Sequence, residues 1–133
     1  MFFPRRLLII DDEPQLTAMV RGAFAATGRY LIKEENRSLR ALHAARHFHP
    51  DLILLDMLMP ELDGSEVARQ LRDDPALQDV PILFVTSLAA NGVIGSVGFL
   101  SGYSFVAKPF QISDLINCVE EMLGDDEPAR KTA

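Results

Sequence analysis

The sequence predicts an α/β domain: a doubly wound parallel sheet with helices on both faces. Three observations point to it. Short, wholly apolar runs recur at Leu7–Ile10, Leu52–Leu55 and Ile82–Val85, as in strands buried on both sides. Between them lie stretches whose apolar residues return every three or four positions, the spacing of a helix with one buried face. Strand and helix alternate five times within 133 residues, a length that suits one domain with a genuine core. Alternation of this kind makes the strands parallel and the helices their crossovers.

The elements follow in order. After Leu7–Ile10, residues Leu16, Met19, Val20, Ala23 and Phe24 mark the buried face of a first helix. Tyr30–Lys33 is a weaker strand pattern, as edge strands often are. Leu39, Leu42 and Ala45 begin a second helical stripe before the Leu52–Leu55 strand, and Val67, Ala68 and Leu71 a third before Ile82–Val85. Ser104–Ala107 is the weaker fifth strand. Ile112, Leu115, Ile116, Val119 and Leu123 form the last helix, which Gly124 stops. The domain is expected over residues 1–124. Residues 125–133, polar and containing Pro128, read as a tail or the start of a linker.

Composition excludes several classes of function. A formal net charge of −6, with no cluster of arginine or lysine to neutralise phosphates, argues against nucleic-acid binding by this chain alone. The single cysteine, Cys118, permits no intrachain disulfide, which fits a reducing, cytoplasmic setting and an inert, buried thiol. The apolar run in MFFPRRLLIIDDE is too short for a signal peptide and has no small-residue cleavage site. Val80–Ala107 carries no charged residue and no histidine and is long enough to span a bilayer. Its proline, asparagine, glycines and hydroxyl residues, and the lack of a flanking basic or aromatic belt, argue against a membrane span.

In a doubly wound sheet, ligands sit beyond the carboxyl ends of the strands, near the point where strand order reverses. The residues just past the apolar runs are therefore the informative ones: Asp11, Asp12 and Glu13 after the first, Asp56 after the third, Thr86 and Ser87 after the fourth, Lys108 and Pro109 after the fifth. Singly, each has a structural explanation as a helix cap or a solvated charge. Jointly they do not, because carboxylates brought to one place repel unless something compensates them. Mg²⁺ suits the task, since it prefers carboxylate and carbonyl oxygens and keeps a phosphate in its shell. Cation, carboxylate, hydroxyl and lysine around one pocket suggest phosphoryl chemistry. Asp56, on the central strand, is the best placed nucleophile.

The segments LIIDDEP, PDLILLDMLMPELDG, ILFVTS and FVAKPF, in this order and spacing, resemble those of the receiver domains of two-component response regulators, from Arg6 to about Leu123. The resemblance implies a CheY-like, five-stranded sheet of order 2-1-3-4-5 with five helices. It implies that Asp56 accepts a phosphoryl group from a histidine kinase or phosphotransfer protein. Asp12 would bind Mg²⁺ directly, Asp11 would assist, and the Leu58 backbone carbonyl would supply another ligand. Thr86 and Lys108 would contact the phosphoryl group, and the Lys108–Pro109 bond would be cis. Phe105 would be the aromatic that turns inward as Thr86 moves toward phosphate. Such a chain is a signalling phosphoacceptor, catalysing at most its own phosphorylation and dephosphorylation. It would act on a downstream protein or effector domain through its fourth helix, fifth strand and last helix, or form a homodimer.

The chain departs from the family pattern in places. Ser101 and Gly102 stand where receivers often have Gly-Ala, Phe105 replaces a more frequent Tyr, and Leu58 and Leu88 are apolar where an attacking water can be steered. The last pair suggests slow autodephosphorylation. Other readings fit less well. A haloacid-dehalogenase-type phosphatase needs an acid two residues after its nucleophile, where Leu58 stands, and a flavodoxin-like cofactor binder would not place DDEPQLT in its phosphate loop. A receiver belonging to a larger regulator, such as a transcription factor, hybrid kinase or cyclic-nucleotide enzyme, remains open on sequence.

Some features lie outside the site. His43 and His47, four apart, have metal-ligand spacing, but without a third ligand they read as a solvated helix face beside His49. Arg37, Arg40 and Arg46 read the same way, and Met57 and Met59 as packing residues beside Asp56. Residues 90–103, ANGVIGSVGFLSGY, hold four of the eight glycines. On a helix, Gly95, Gly98 and Gly102 would share a face and together weaken it by about 2–3 kcal/mol. The fourth helix is therefore expected to be short or irregular, and the uncharged stretch to form an output surface.

Overall fold

The computed structural model describes residues 3–87, 97–100 and 102–124, with the backbone alone at 97–100. Its elements are β1 (Arg5–Ile10), α1 (Pro14–Ala26), β2 (Tyr30–Glu35), a 3₁₀ turn (Ser38–Arg40), α2 (Ala41–Phe48), β3 (Leu52–Asp56), α3 (Gly64–Arg72), β4 (Ile82–Thr86), β5 (Val97–Leu100), β6 (Tyr103–Ala107) and α4 (Ile112–Leu123). The sheet order is β2-β1-β3-β4-β6-β5. All neighbours are parallel except β5, which runs antiparallel to β6. The five parallel strands have the 2-1-3-4-5 order, with β6 as the fifth strand of the sequence reading. Strand order reverses between β1 and β3.

Continuous apolar strands follow from burial on both faces. Leu8 and Ile10, Ile53 and Leu55, Ile82 and Phe84 point into one core with Ala41, Ala44 and Ala45 of α2 and Val67, Ala68 and Leu71 of α3. The alternate residues Leu7, Ile9, Leu52, Leu54, Leu83 and Val85 join Val20 and Phe24 of α1 with Leu115, Cys118 and Val119 of α4. Period-two alternation thus feeds two cores from one sheet. Cys118 is buried, and that burial raises its thiol pKa, so the thiolate needed for chemistry is disfavoured.

Two helical stripes differ from expectation. Met19 is 50% exposed and Leu39 55% exposed. On α1 the buried residues are Thr17, Val20 and Phe24, which turns Met19 to the side. Leu39 lies in the 3₁₀ turn rather than in α2, whose buried face consists of three alanines. His43 and His47 are exposed and stack with ring centroids 4.1 Å apart.

The fourth-helix segment is corrected in part. Residues 88–96 and 101, Leu88 included, lie outside the described residues, as does the 125–133 tail. Val97–Leu100, however, is a strand, paired from Val97↔Val106 to Leu100↔Tyr103. Glycines that weaken a helix, with Val97 and Phe99 of high strand preference, tip this short piece toward pairing. The connection to β6 is two residues long and includes Gly102 at φ 85°, a conformation that costs glycine little.

Candidate functional site

β1 and β3 are neighbours at the centre of the sheet, paired from Leu7↔Leu52 to Ile10↔Leu55, so both chains leave the sheet side by side. Asp11 follows β1 and Asp56 ends β3, and both are buried (3% and 5% exposed). Asp12, next in the loop, is half-buried. The three residues each offer an oxygen within 4.8 Å of the others. Beneath Asp11 and Asp56 lies an apolar floor of Leu16, Val20, Leu54, Val85, Phe110 and Leu115.

Lys108 reaches this cluster from beyond β6. Its amide donates to the Thr86 carbonyl (3.0 Å), and its Nζ lies 2.9 Å from Asp11 Oδ2, 3.4 Å from Glu13 Oε1 and 3.5 Å from Asp56 Oδ1. The Lys108–Pro109 peptide is cis. Thr86, the last residue of β4, is fully buried, and its strand neighbours place it beside both Asp56 and Lys108. Phe105 is also fully buried, in the core shared with α2 and α3. Leu58 is 53% exposed at the mouth of the site, and its amide donates to the Asp56 carboxylate. Met59 packs into the core and Met57 against it.

The electrostatics follow from crowding acids over an apolar floor. Burial, with the Asp11 charge adding to it, pushes Asp56 up to about 6, although Lys108 and the Leu58 amide pull the other way. Burial raises Asp11 as well, against the opposing Lys108 hydrogen bond. For Lys108, burial alone would lower the pKa, but the hydrogen bond to Asp11 and the charges of Asp11, Asp56 and Glu13 raise it. One ammonium therefore faces three carboxylates, with Asp12 beside them. Asp11, Asp12 and Asp56 are hard oxygen donors in surplus over positive charge, the donor set that Mg²⁺ takes.

Glu13, singled out with Asp11 and Asp12 at the end of the first strand, shares Lys108 with the aspartates. Sequence reasoning missed two contributors. Gly64 opens α3 against the end of β3: its amide donates to the Met57 carbonyl, and a Cβ there would lie 2.3 Å from the Asp56 carbonyl oxygen and 2.7 Å from Met57 Cα. Asp63, accepting the Glu66 amide as the α3 N-cap, was the available signal that a helix starts at once. Asn36 donates from Nδ2 to the Asp11 carbonyl (2.8 Å), and nothing in the local sequence announces that contact.

Known proteins resemble this chain in sequence and fold. The family profile of the response regulator receiver domain matches residues 7–120. The chain is 32% identical over 122 residues to the polar-differentiation response regulator DivK of Brucella anthropi, covering 92% of this chain and 98% of that one. A putative response regulator from Chloroflexus aurantiacus superposes with a TM-score of 0.74 at 25% identity, covering 92% and 100% of the two chains. The receiver domain of a Pseudomonas aeruginosa sensor histidine kinase, solved with magnesium coordinated in its active site cleft, gives 0.76 at 22% identity and the same coverage. By that profile and the identity to DivK, this chain belongs to the response regulator receiver domains.

Proposed function

We propose that Asp56 is the phosphoacceptor of a two-component or phosphorelay pathway. The observation that carries this is the convergence of Asp11, Asp12 and Asp56 with Lys108 at the strand-order reversal. Asp11, Asp12, Asp56 and the Leu58 backbone carbonyl would hold Mg²⁺. Bound there, the cation would offset the charge of the carboxylates and of the incoming phosphoryl oxygens. One Asp56 oxygen bonds to phosphorus while the bond from phosphorus to the donor's imidazole nitrogen breaks and leaves its electron pair on that nitrogen. Lys108, already 3.5 Å from Asp56, compensates the charge gathered there, and Thr86 donates its hydroxyl to a phosphoryl oxygen. The donor is a histidine kinase or a phosphotransfer protein.

Thr86 and Phe105 form the switch. Drawing Thr86 toward the phosphoryl group changes the packing beside the buried Phe105 ring on the neighbouring strand, and the surface over residues 88–107 and α4 reports the change to a downstream protein or a second copy. Residues 1–124 make up the receiver, with 125–133 as tail or linker. The apolar, exposed Leu58 positions no water, which favours a long-lived aspartyl phosphate. The domain acts in the cytoplasm and catalyses at most its own phosphoryl transfer. Consistent with that setting, no helix among the described residues is long and apolar enough to cross a membrane.

The test is incubation with acetyl phosphate and Mg²⁺, read by intact mass, for wild type and Asp56→Ala. A phosphoryl adduct on wild type alone is expected. An adduct of equal yield on Asp56→Ala, or none on either, overturns the assignment.

A further inference from the structure

The loop carrying Asp11 and Asp12 is held from behind by side chains that never reach the cation-binding oxygens. Asn36 Nδ2 donates to the Asp11 main-chain carbonyl (2.8 Å) and to Thr17 Oγ1 (3.0 Å). Thr17 is fully buried on α1, and its hydroxyl hydrogen has its shortest acceptor in Glu34 Oε1 at 2.7 Å. The Glu34 carboxylate also pairs with Arg21 at 3.5 Å. Donors and acceptors therefore run in one direction, from Asn36 to Thr17 to Glu34, and join β2, α1 and the acidic loop.

Its point of application is the peptide linking Asp11 to Asp12. The Asp11 amide is held by the Glu35 carbonyl (3.2 Å), the last bond tying β1 to the β2 edge. The Asp11 carbonyl lies past the end of β1, and Asn36 is the side chain that donates to it. Because a peptide is planar, fixing that carbonyl also fixes the Asp12 amide and the direction in which the Asp12 Cα leaves. The approach of the Asp12 carboxylate to Asp11 and Asp56 depends on that direction. α1 holds the loop only one residue further on and through backbone bonds, the Leu16 and Thr17 amides donating to the Glu13 carbonyl, and Glu13 at its N-cap makes no side-chain capping bond.

We infer that Thr17, Glu34 and Asn36 form a positioning network that sets the affinity of the acidic loop for its divalent cation. Asn36 and Thr17 are positioning residues acting through the Asp11–Asp12 peptide. The inference rests on the reading of this cluster as an Mg²⁺ site. Partners of this kind behind metal ligands typically change affinity by 10- to 100-fold, and one amide behind a loop belongs at the lower end, about tenfold.

The test titrates MgCl₂ calorimetrically into wild type, Asn36→Ala, Thr17→Val, Thr17→Ser and the Asn36→Ala/Thr17→Val pair. Asn36→Ala and Thr17→Val are each expected to weaken Mg²⁺ binding about tenfold. The pair should do no worse than either single change, and Thr17→Ser, which keeps the hydroxyl, should bind as wild type does. The rate of phosphorylation by acetyl phosphate should fall at limiting Mg²⁺ and return to the wild-type value at saturation. If Thr17→Val does not fold, Asn36→Ala decides alone, since Asn36 is only half-buried. Wild-type affinity in Asn36→Ala, or a rate defect that saturating Mg²⁺ leaves in place, overturns the network's role. Failure of wild type itself to bind Mg²⁺ overturns the metal site instead.

Discussion

Replacing the Asp56 carboxylate by its neutral isostere should stabilise the metal-free protein at neutral pH. Asp56→Asn keeps the shape and an oxygen for the Leu58 amide, but removes a charge that burial and Asp11 together disfavour. The pKa rises from 3.8 to about 6, roughly two units at about 1.4 kcal/mol each, so the penalty carried by ionised Asp56 is at most about 3 kcal/mol. A raised carboxylate pKa means that the fold favours the proton. The linked stability is complete below pH 3.8 and is lost as pH rises through about 6. Asp11 and Asp56 titrate as a pair, so the asparagine also relieves Asp11. Urea unfolding in EDTA should therefore show Asp56→Asn more stable than wild type at pH 7.5 by about 1–3 kcal/mol. The difference should shrink toward zero near pH 4. In thermal melts 1 kcal/mol corresponds to roughly 4 °C for a domain of this size. Millimolar Mg²⁺ should narrow the gap at pH 7.5 by stabilising wild type alone. A stability difference that stays flat between pH 4 and pH 8 would refute the electrostatic account of the site.

Two substitutions probe the backbone that frames the site. Gly64→Ala forces a methyl to within 2.3 Å of the Asp56 carbonyl oxygen, and overpacking of this kind costs about 1–3 kcal/mol; a lower urea midpoint and slower phosphorylation are expected, and an unchanged midpoint would show that α3 shifts freely. Gly102→Ala places a Cβ at φ 85°, costing about 1–2 kcal/mol, and should speed amide exchange along the β5–β6 pair while leaving that of β1 and β3 unchanged; unchanged exchange in β6 would count against the two-residue connection.

What could be read from the sequence was whatever is repeated or local. β1, β3 and β4 declared themselves because both their faces meet a core, so Leu7–Ile10, Leu52–Leu55 and Ile82–Val85 are apolar throughout. The carboxylates and Lys108 were legible because strand ends converge in this topology whatever the details. Other features depend on what lies across space. The burial of Leu39 could not be judged without knowing that α2 begins two residues later. Gly64 looks like any turn glycine until β3 is seen pressed against it. The Asn36 contact is with a main-chain carbonyl, which carries no residue signature. Val97–Leu100 gave no strand signal because its pairing partner, not its own alternation, makes it one.

β6 places the acidic site and the proposed switch on one strand. Lys108 follows its last residue and holds the Asp11 and Asp56 carboxylates; Phe105 lies three residues back and is wholly buried. The two flanks of Phe105 differ. On β4 its register partner is Phe84, an aromatic in the same core, whereas on β5 its partner is Gly98. Directly opposed residues of an antiparallel pair face the same side of the sheet, so the position across from the ring carries no side chain. The ring thus has an aromatic register partner on β4, the strand that ends in Thr86, and a glycine partner on β5, so side-chain contact along the sheet couples it to the flank that carries the site.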